Sequence, residues 1–230
     1  METTIPVKSI KNIPARSAGI TAVCLALGMV LTFVVGSLVF ESLPGHLRES
    51  TRTLITVIPA LAALIGSGAL WGRAMARLAG AVNVRRAAWA GGLSLGPLVI
   101  LTAIGLGSLE VLLVEERAVD LPIHNVFTLL FVPAAFLVAG LTSLALGIGL
   151  GDRRLAWRMA LAAALAGGLA FLAVNLTLQS FGFVVGGPGA AERATMILTL
   201  FAGMLGAALA GGWVIGRMIS PGEASTEIAT

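Results

Sequence analysis

The sequence predicts an all-α membrane protein, a helical bundle of six transmembrane helices with both termini in the cytoplasm. Three observations predict this fold class. Apolar residues make up 57% of the 230 residues and charged residues only 11%, whereas a soluble domain is ordinarily about a quarter charged. The apolar residues are concentrated in long runs. Most basic residues lie before the first run, on every second connection or after the last run, which is typical of the cytoplasmic side of a membrane.

The first run, Ser17–Phe40, has 24 residues and no charge. At about 1.5 Å per residue it is long enough to cross a hydrocarbon core of about 30 Å. Residues 1–16 before it are polar and basic, as in a signal peptide, but the run is too long for a typical signal-peptide core. We therefore expect an uncleaved first span after a cytoplasmic N-terminal segment.

The other spans follow the same alternation of apolar runs and polar connections. A polar loop over 41–52 contains Pro44 and Gly45, both turn formers. Prolines and glycines inside the later runs are tolerated in membrane helices. The predicted spans are 54–71, 89–114, 126–150, 155–181 and 195–215. Residues 17–217 then form one transmembrane domain, and the polar tail 218–230 is expected to be cytoplasmic and disordered.

A basic pair followed by tryptophan occurs twice, starting at Arg85 and again at Arg153, each time between two apolar runs. Lys and Arg stay on the cytoplasmic side of a span, and Trp settles at the headgroup level. We interpret both copies as cytoplasmic tips of helical hairpins. With the N-terminus inside, eleven of the fifteen basic residues are cytoplasmic, which predicts a multi-pass protein of the cell membrane with both termini in the cytoplasm.

The two tips also indicate an internal repeat. Spans 2–3 and 4–5 read as two copies of a hairpin, and spans 6 and 1 as the two halves of a third. Copies of this kind are related by an axis along the membrane normal, as in some transporters. The alternative is convergent composition, because any two spans of an Ala-, Leu- and Gly-rich chain align tolerably.

Small residues recur every fourth position on several spans, which places them on one helix face. This spacing lets two helix backbones approach closely in a membrane. We expect a compact bundle surrounded by the lipid bilayer, and these faces also fit contacts with other membrane subunits. The sets are Gly28, Thr32 and Gly36; Gly92 and Gly96; Ser143, Gly147 and Gly151; Gly203, Ala207 and Gly211.

Three polar residues stand out at the outer ends of the spans: Glu110, Asn175 and Gln179. Ionisable groups inside a membrane commonly mark a solute or ion path. One hypothesis makes the three a substrate-binding pocket open to the outside. The other makes Glu110 a headgroup-level acid and the two amides a hydrogen-bonded pair between helices.

A second candidate site is a set of cationic residues at the predicted cytoplasmic ends. These residues are positioned to bind anionic lipid headgroups or a cytoplasmic partner. The alternative is that they only set the orientation of the chain. The set consists of Arg73, Arg77, Arg85, Arg86, Arg153 and Arg154.

Several classes of function are not indicated. The single Cys24 excludes an internal disulfide and a CxxC motif, and His46 and His124 both fall in predicted loops. No catalytic, metal or cofactor-binding set is apparent, so we expect a non-enzymatic protein without cofactor. Because the basic residues adjoin the spans, their excess is attributed to the membrane and not to nucleic acid.

The first span also has alanines at every fourth position, Ala18, Ala22 and Ala26. In this and in span number the chain resembles the substrate-capturing subunits of energy-coupling-factor vitamin transporters. Because such spacing is common in an Ala-rich chain, we assign no family from it. Two hypotheses remain: a small transport-related component that handles a solute from the outer side, and a non-catalytic accessory or scaffold subunit of a larger membrane complex.

Overall fold

The computed structural model describes residues 12–114, 123–181 and 190–220. Within these ranges the chain is all-α and has no strand, which confirms the predicted class. The predicted tail from 221 onward, residues 1–11 and the acidic connection around Glu115 lie outside the described residues. The helices are α1 (Ile13–Ser42), α2 (Glu49–Leu78), α3 (Val84–Val114), α4 (Ile123–Leu150), α5 (Arg153–Ser180) and α6 (Ala190–Ile219).

Helix α2 differs most from the predicted span, since it is longer at both ends. Arg52, which we placed in a loop, lies in its first turn and donates from Nη2 to the Phe40 carbonyl at 2.7 Å. The helix continues past Trp71 because Met75 and Ala76 are fully buried in the core. It ends before Gly80, whose φ of +65° is accessible to glycine at little cost.

Within the described residues, α1, α2, α4, α5 and α6 each contain a stretch long and apolar enough to cross a membrane. Large apolar side chains on the outer surface support this, for example Phe33 and Leu165. The chain therefore has the helices of a multi-pass membrane protein. Six spans and cytoplasmic termini stay predictions.

The six helices form a ring, in which each helix packs against its neighbours in the chain and α1 closes the ring against α6. Neighbouring helices run in opposite directions. The starts of α1, α3 and α5 therefore meet the ends of α2, α4 and α6 at one end of the ring. We call it the arginine-rich end, because it carries the exposed Arg16, Arg73, Arg77, Arg85, Arg86, Arg153, Arg154, Arg158 and Arg217.

Three close backbone contacts join the helices in pairs at this end. Gly72 of α2 packs on Ala87 of α3, and Gly147 of α4 packs on Ala156 of α5. Gly216 of α6 meets α1 in the same way: a Cβ there would lie 2.6 Å from the Pro14 Cα. The pairs α2–α3, α4–α5 and α6–α1 are those expected from the hairpin repeat. A common origin of the three pairs stays a prediction.

We expect Gly72→Ala to destabilise the protein, because the new methyl group would meet the Ala87 carbonyl and force α2 and α3 apart. The expected loss is about 1–3 kcal/mol of unfolding free energy, measured as a lower unfolding temperature in mild detergent. Gly66→Ala is the matched control on the same helix, where nothing lies within 4 Å of the new Cβ. It should be neutral or stabilising by up to about 1 kcal/mol. Equal effects of the two changes would contradict the close α2–α3 contact.

Cysteine labelling tests which end of the ring faces the cytoplasm. In a Cys24→Ala background, Gly45→Cys and Val82→Cys each place one thiol in an exposed connection, at opposite ends of the ring. A membrane-impermeant maleimide should label position 45 in intact cells and position 82 only after permeabilisation. The reverse pattern would invert the predicted topology.

Candidate functional site: a central apolar cavity

The centre of the ring is filled at the arginine-rich end. Side chains from all six helices meet there in one apolar cluster, in which Met75, Leu146 and Met159 have no exposed surface. We call this cluster the plug. Its buried members are Ile13, Trp71, Met75, Ala76, Ala87, Leu146, Met159, Ala163, Ile215 and Ile219. The plug therefore closes the ring at this end.

Hydrogen bonds hold α1 against α2 and α6 beside the plug. Ser17 Oγ donates to the Gly212 carbonyl of α6 at 2.5 Å. Trp71 Nε1 of α2 donates to Thr21 Oγ1 at 3.0 Å, and Thr21 Oγ1 in turn donates to the Ser17 carbonyl at 2.8 Å. Because these groups are hydrogen-bonded to one another, their burial does not carry the free-energy cost of an unpaired donor or acceptor.

A cavity of about 170 Å³ lies beyond the plug, lined by residues of all six helices. Ile215, four residues before the end of α6, lies on its floor, about 6 Å along the helix from the arginine-rich end. Met29 lies 16 residues into α1, about 24 Å from that end. The cavity therefore extends from the plug to about the midpoint of the bundle. Its apolar walls include Leu25, Met29, Leu64, Val99, Phe131, Phe171 and Met204.

The polar groups on the cavity wall are largely used within their own helices. Thr142 Oγ1 donates to the Val138 carbonyl and Ser143 Oγ to the Ala139 carbonyl, both at 2.6 Å. None of the described residues that line the cavity is charged. Engineered protein cavities of about 150 Å³ with apolar walls stay dry and bind benzene or xenon. This cavity is therefore suited to an apolar guest of about one aromatic ring.

Asn175, a predicted substrate-binding residue, lies between α5 and α6. Its side chain is 1% exposed, and Nδ2 donates to the Phe171 carbonyl at 2.8 Å. Its Oδ1 is buried and has no hydrogen-bond partner among the described residues. A Cβ on Gly203 of α6 would lie 2.7 Å from Nδ2, so the amide packs tightly on the facing helix. Asn175 is not among the residues that line the cavity; Phe171, one turn nearer the plug, is.

The other predicted site residues are only partly placed. Gln179 is half-buried one turn after Asn175 on α5. Glu110 belongs to α3, but its side chain lies outside the described part of the chain. A pocket formed by the three therefore stays a prediction. The six predicted cationic residues are all exposed at the arginine-rich end, and their role in lipid or partner binding is likewise a prediction.

The residues that build the cavity were not predicted from the sequence. Small residues four apart predicted close helix contacts, and the repeat paired spans 6 and 1, but no pattern indicated an unfilled space at the centre. Trp71 was predicted only as the last residue of the second span. It is 4% exposed and points into the bundle, where Thr21 accepts its N–H. The one sequence signal for an inward-pointing Trp71 was Thr21 on α1, whose hydroxyl can accept the indole N–H.

Comparison with protein-family models, curated proteins and solved structures finds no match to this chain. The function is therefore argued from the geometry of the cavity and its surroundings.

Asn175→Leu should stabilise the protein, because it replaces a buried acceptor that has no partner among the described residues by an apolar side chain of the same branching. Such an acceptor costs about 1–3 kcal/mol. The measurement is the unfolding temperature in mild detergent. Thr199→Val is the control: Thr199 is also buried, but its Oγ1 donates to the Thr195 carbonyl at 2.8 Å, so no gain is expected. A lower unfolding temperature for Asn175→Leu would mean that Oδ1 has a partner.

Proposed function

We propose that the chain is a small transport-related membrane component that takes an apolar solute into its central cavity from the side opposite the arginine-rich end. The observation that carries this proposal is the cavity itself, to which every helix of the ring contributes. A space lined by one or two helices would be an ordinary packing defect. A space at the axis of the ring is a consequence of the fold.

The walls favour an apolar solute over an ion. A charged group moved from water into this cavity would lose its hydration and find no opposite charge among the described lining residues. That penalty amounts to several kcal/mol or more. An apolar solute loses nothing of this kind and gains dispersion contacts with side chains such as Leu25, Val99 and Phe171.

The plug supports entry from the outer side. Arginines gather at the plugged end, and the positive-inside rule assigns that end to the cytoplasm. Passage to the cytoplasm then requires the plug to open. Of the neighbouring helix pairs in the ring, α6 and α1 are the pair that no connection joins at either end. We therefore assign the opening to the α6–α1 contact, where Gly216 packs on Pro14.

The proposal is tested by identifying what the purified protein retains. The protein is taken from native membranes into lipid nanodiscs, and bound small molecules are analysed by mass spectrometry. Ala135→Leu enlarges a residue of the cavity wall. Ala62→Leu adds the same atoms at an exposed position of α2. An apolar molecule retained by the wild type and by Ala62→Leu, and lost or reduced at least ten-fold in Ala135→Leu, is the expected result.

Two outcomes would overturn the proposal. Equal retention in all three proteins would show that the molecule is bound on the lipid-facing surface. A stoichiometric partner protein with no bound solute would favour the accessory-subunit hypothesis instead.

A further inference from the structure

A groove on the outside of the ring, between α1 and α2, joins charged and apolar surfaces. Three exposed arginines, Arg16, Arg73 and Arg77, lie around it at the arginine-rich end. Toward the membrane interior the groove is lined by apolar or small residues, among them Gly19 and Leu70. Its volume is about 770 Å³, within the usual range for small-molecule sites of about 300–1,000 Å³.

The arginines are arranged to act together. Arg73 and Arg77 are four residues apart on α2 and therefore share one helix face. Arg16, in the first turn of α1, lines the same groove. None of the described groove residues is acidic, so the charge of the three guanidinium groups is not neutralised within the groove.

The groove extends through most of one leaflet. Cys24, its deepest α1 residue, lies eight residues after Arg16, about 12 Å along the helix. Half of a hydrocarbon core of about 30 Å is about 15 Å. A ligand that complements this site has a negative group at the membrane surface and an apolar chain that runs into the same leaflet.

We propose that the groove binds one anionic phospholipid. The phosphate contacts Arg16, Arg73 and Arg77, and one acyl chain lies along Gly19 and Leu70. A soluble anion would contact the arginines but leave the apolar part uncovered. A neutral lipid would cover the apolar part but leave the arginines without a negative partner. The other cationic residues named from the sequence, Arg85, Arg86, Arg153 and Arg154, do not line this groove.

Native mass spectrometry of the purified protein in neutral detergent, titrated with phosphatidylglycerol, tests the headgroup site. The triple change Arg16→Gln, Arg73→Gln and Arg77→Gln should weaken binding of the first lipid roughly a hundred-fold, since each basic residue contributes about 1 kcal/mol. The matched control removes the same charge at the same end: Arg85→Gln, Arg86→Gln and Arg153→Gln. It should change that binding less than about five-fold. Equal weakening by both triple variants would show that the lipid is attracted only by the overall positive charge of this end, which would overturn the proposal.

A second pair of variants tests the acyl-chain part without touching charge. Gly19→Leu places a side chain in the groove, and no atom lies within 4 Å of the new Cβ, so the fold is not strained. Gly66→Leu adds the same side chain to open space on α2 outside the groove. We expect Gly19→Leu to weaken phosphatidylglycerol binding at least ten-fold and Gly66→Leu to leave it unchanged. Unchanged binding in Gly19→Leu, or equally tight binding of phosphatidylcholine to the wild type, would contradict the proposed lipid site.

Discussion

Close packing of helix backbones is the interaction on which the rest of this structure depends. Inside a membrane the surrounding lipid is as apolar as the protein, so burial of leucine does not drive helices together. What does is the dispersion energy gained when two backbones approach without intervening side chains. Gly72, Gly147 and Gly216 provide this contact in three helix pairs, each against a residue near the start of the facing helix. The pairs then define one end of the ring.

The ring has a geometric consequence. Small residues lie between neighbouring helices, and many of the large apolar residues point outward to lipid or inward to the axis. At the arginine-rich end methionine, leucine, isoleucine and tryptophan fill the axis. Farther along, alanines and hydroxyl residues such as Ala135 and Thr142 lie on the axis, and the space is not filled. The cavity thus results from a change in side-chain size along the axis of the ring, from large residues in the plug to small ones beyond it.

The sequence was sufficient for the helices and insufficient for their arrangement. Long apolar runs and basic flanks predict membrane helices directly, and the helix pairs follow from the Gly spacing and the two Arg-Arg-x-x-Trp tips. The α1–α6 contact joins residues at opposite ends of the chain, such as Ser17 and Gly212, and it follows from the repeat hypothesis alone. The space at the axis of the ring does not follow from any sequence pattern. The surroundings of the predicted polar residues were even less predictable from the sequence. Helical spacing correctly placed Asn175 and Gln179 on one face of α5, but not which neighbouring helix Asn175 would meet.

The protein has two candidate binding surfaces with different chemistry. The interior offers an uncharged space at the axis of the ring, and the α1–α2 groove offers positive charge beside apolar surface at one membrane boundary. Both depend on α1, which contacts α2 on one side and α6 on the other. A lipid held on α1 would therefore act on the helix whose contact with α6 closes the ring.

The central claim is that the ring encloses an unfilled apolar space. X-ray diffraction from crystals pressurised with xenon tests it most directly, because xenon enters apolar cavities of this size and is located by its anomalous scattering. We expect a xenon site among Leu25, Val99 and Phe171, absent in Ala135→Leu and present in Ala62→Leu. Side chains that fill the axis at this level, or xenon found only on the lipid-facing surface, would contradict it.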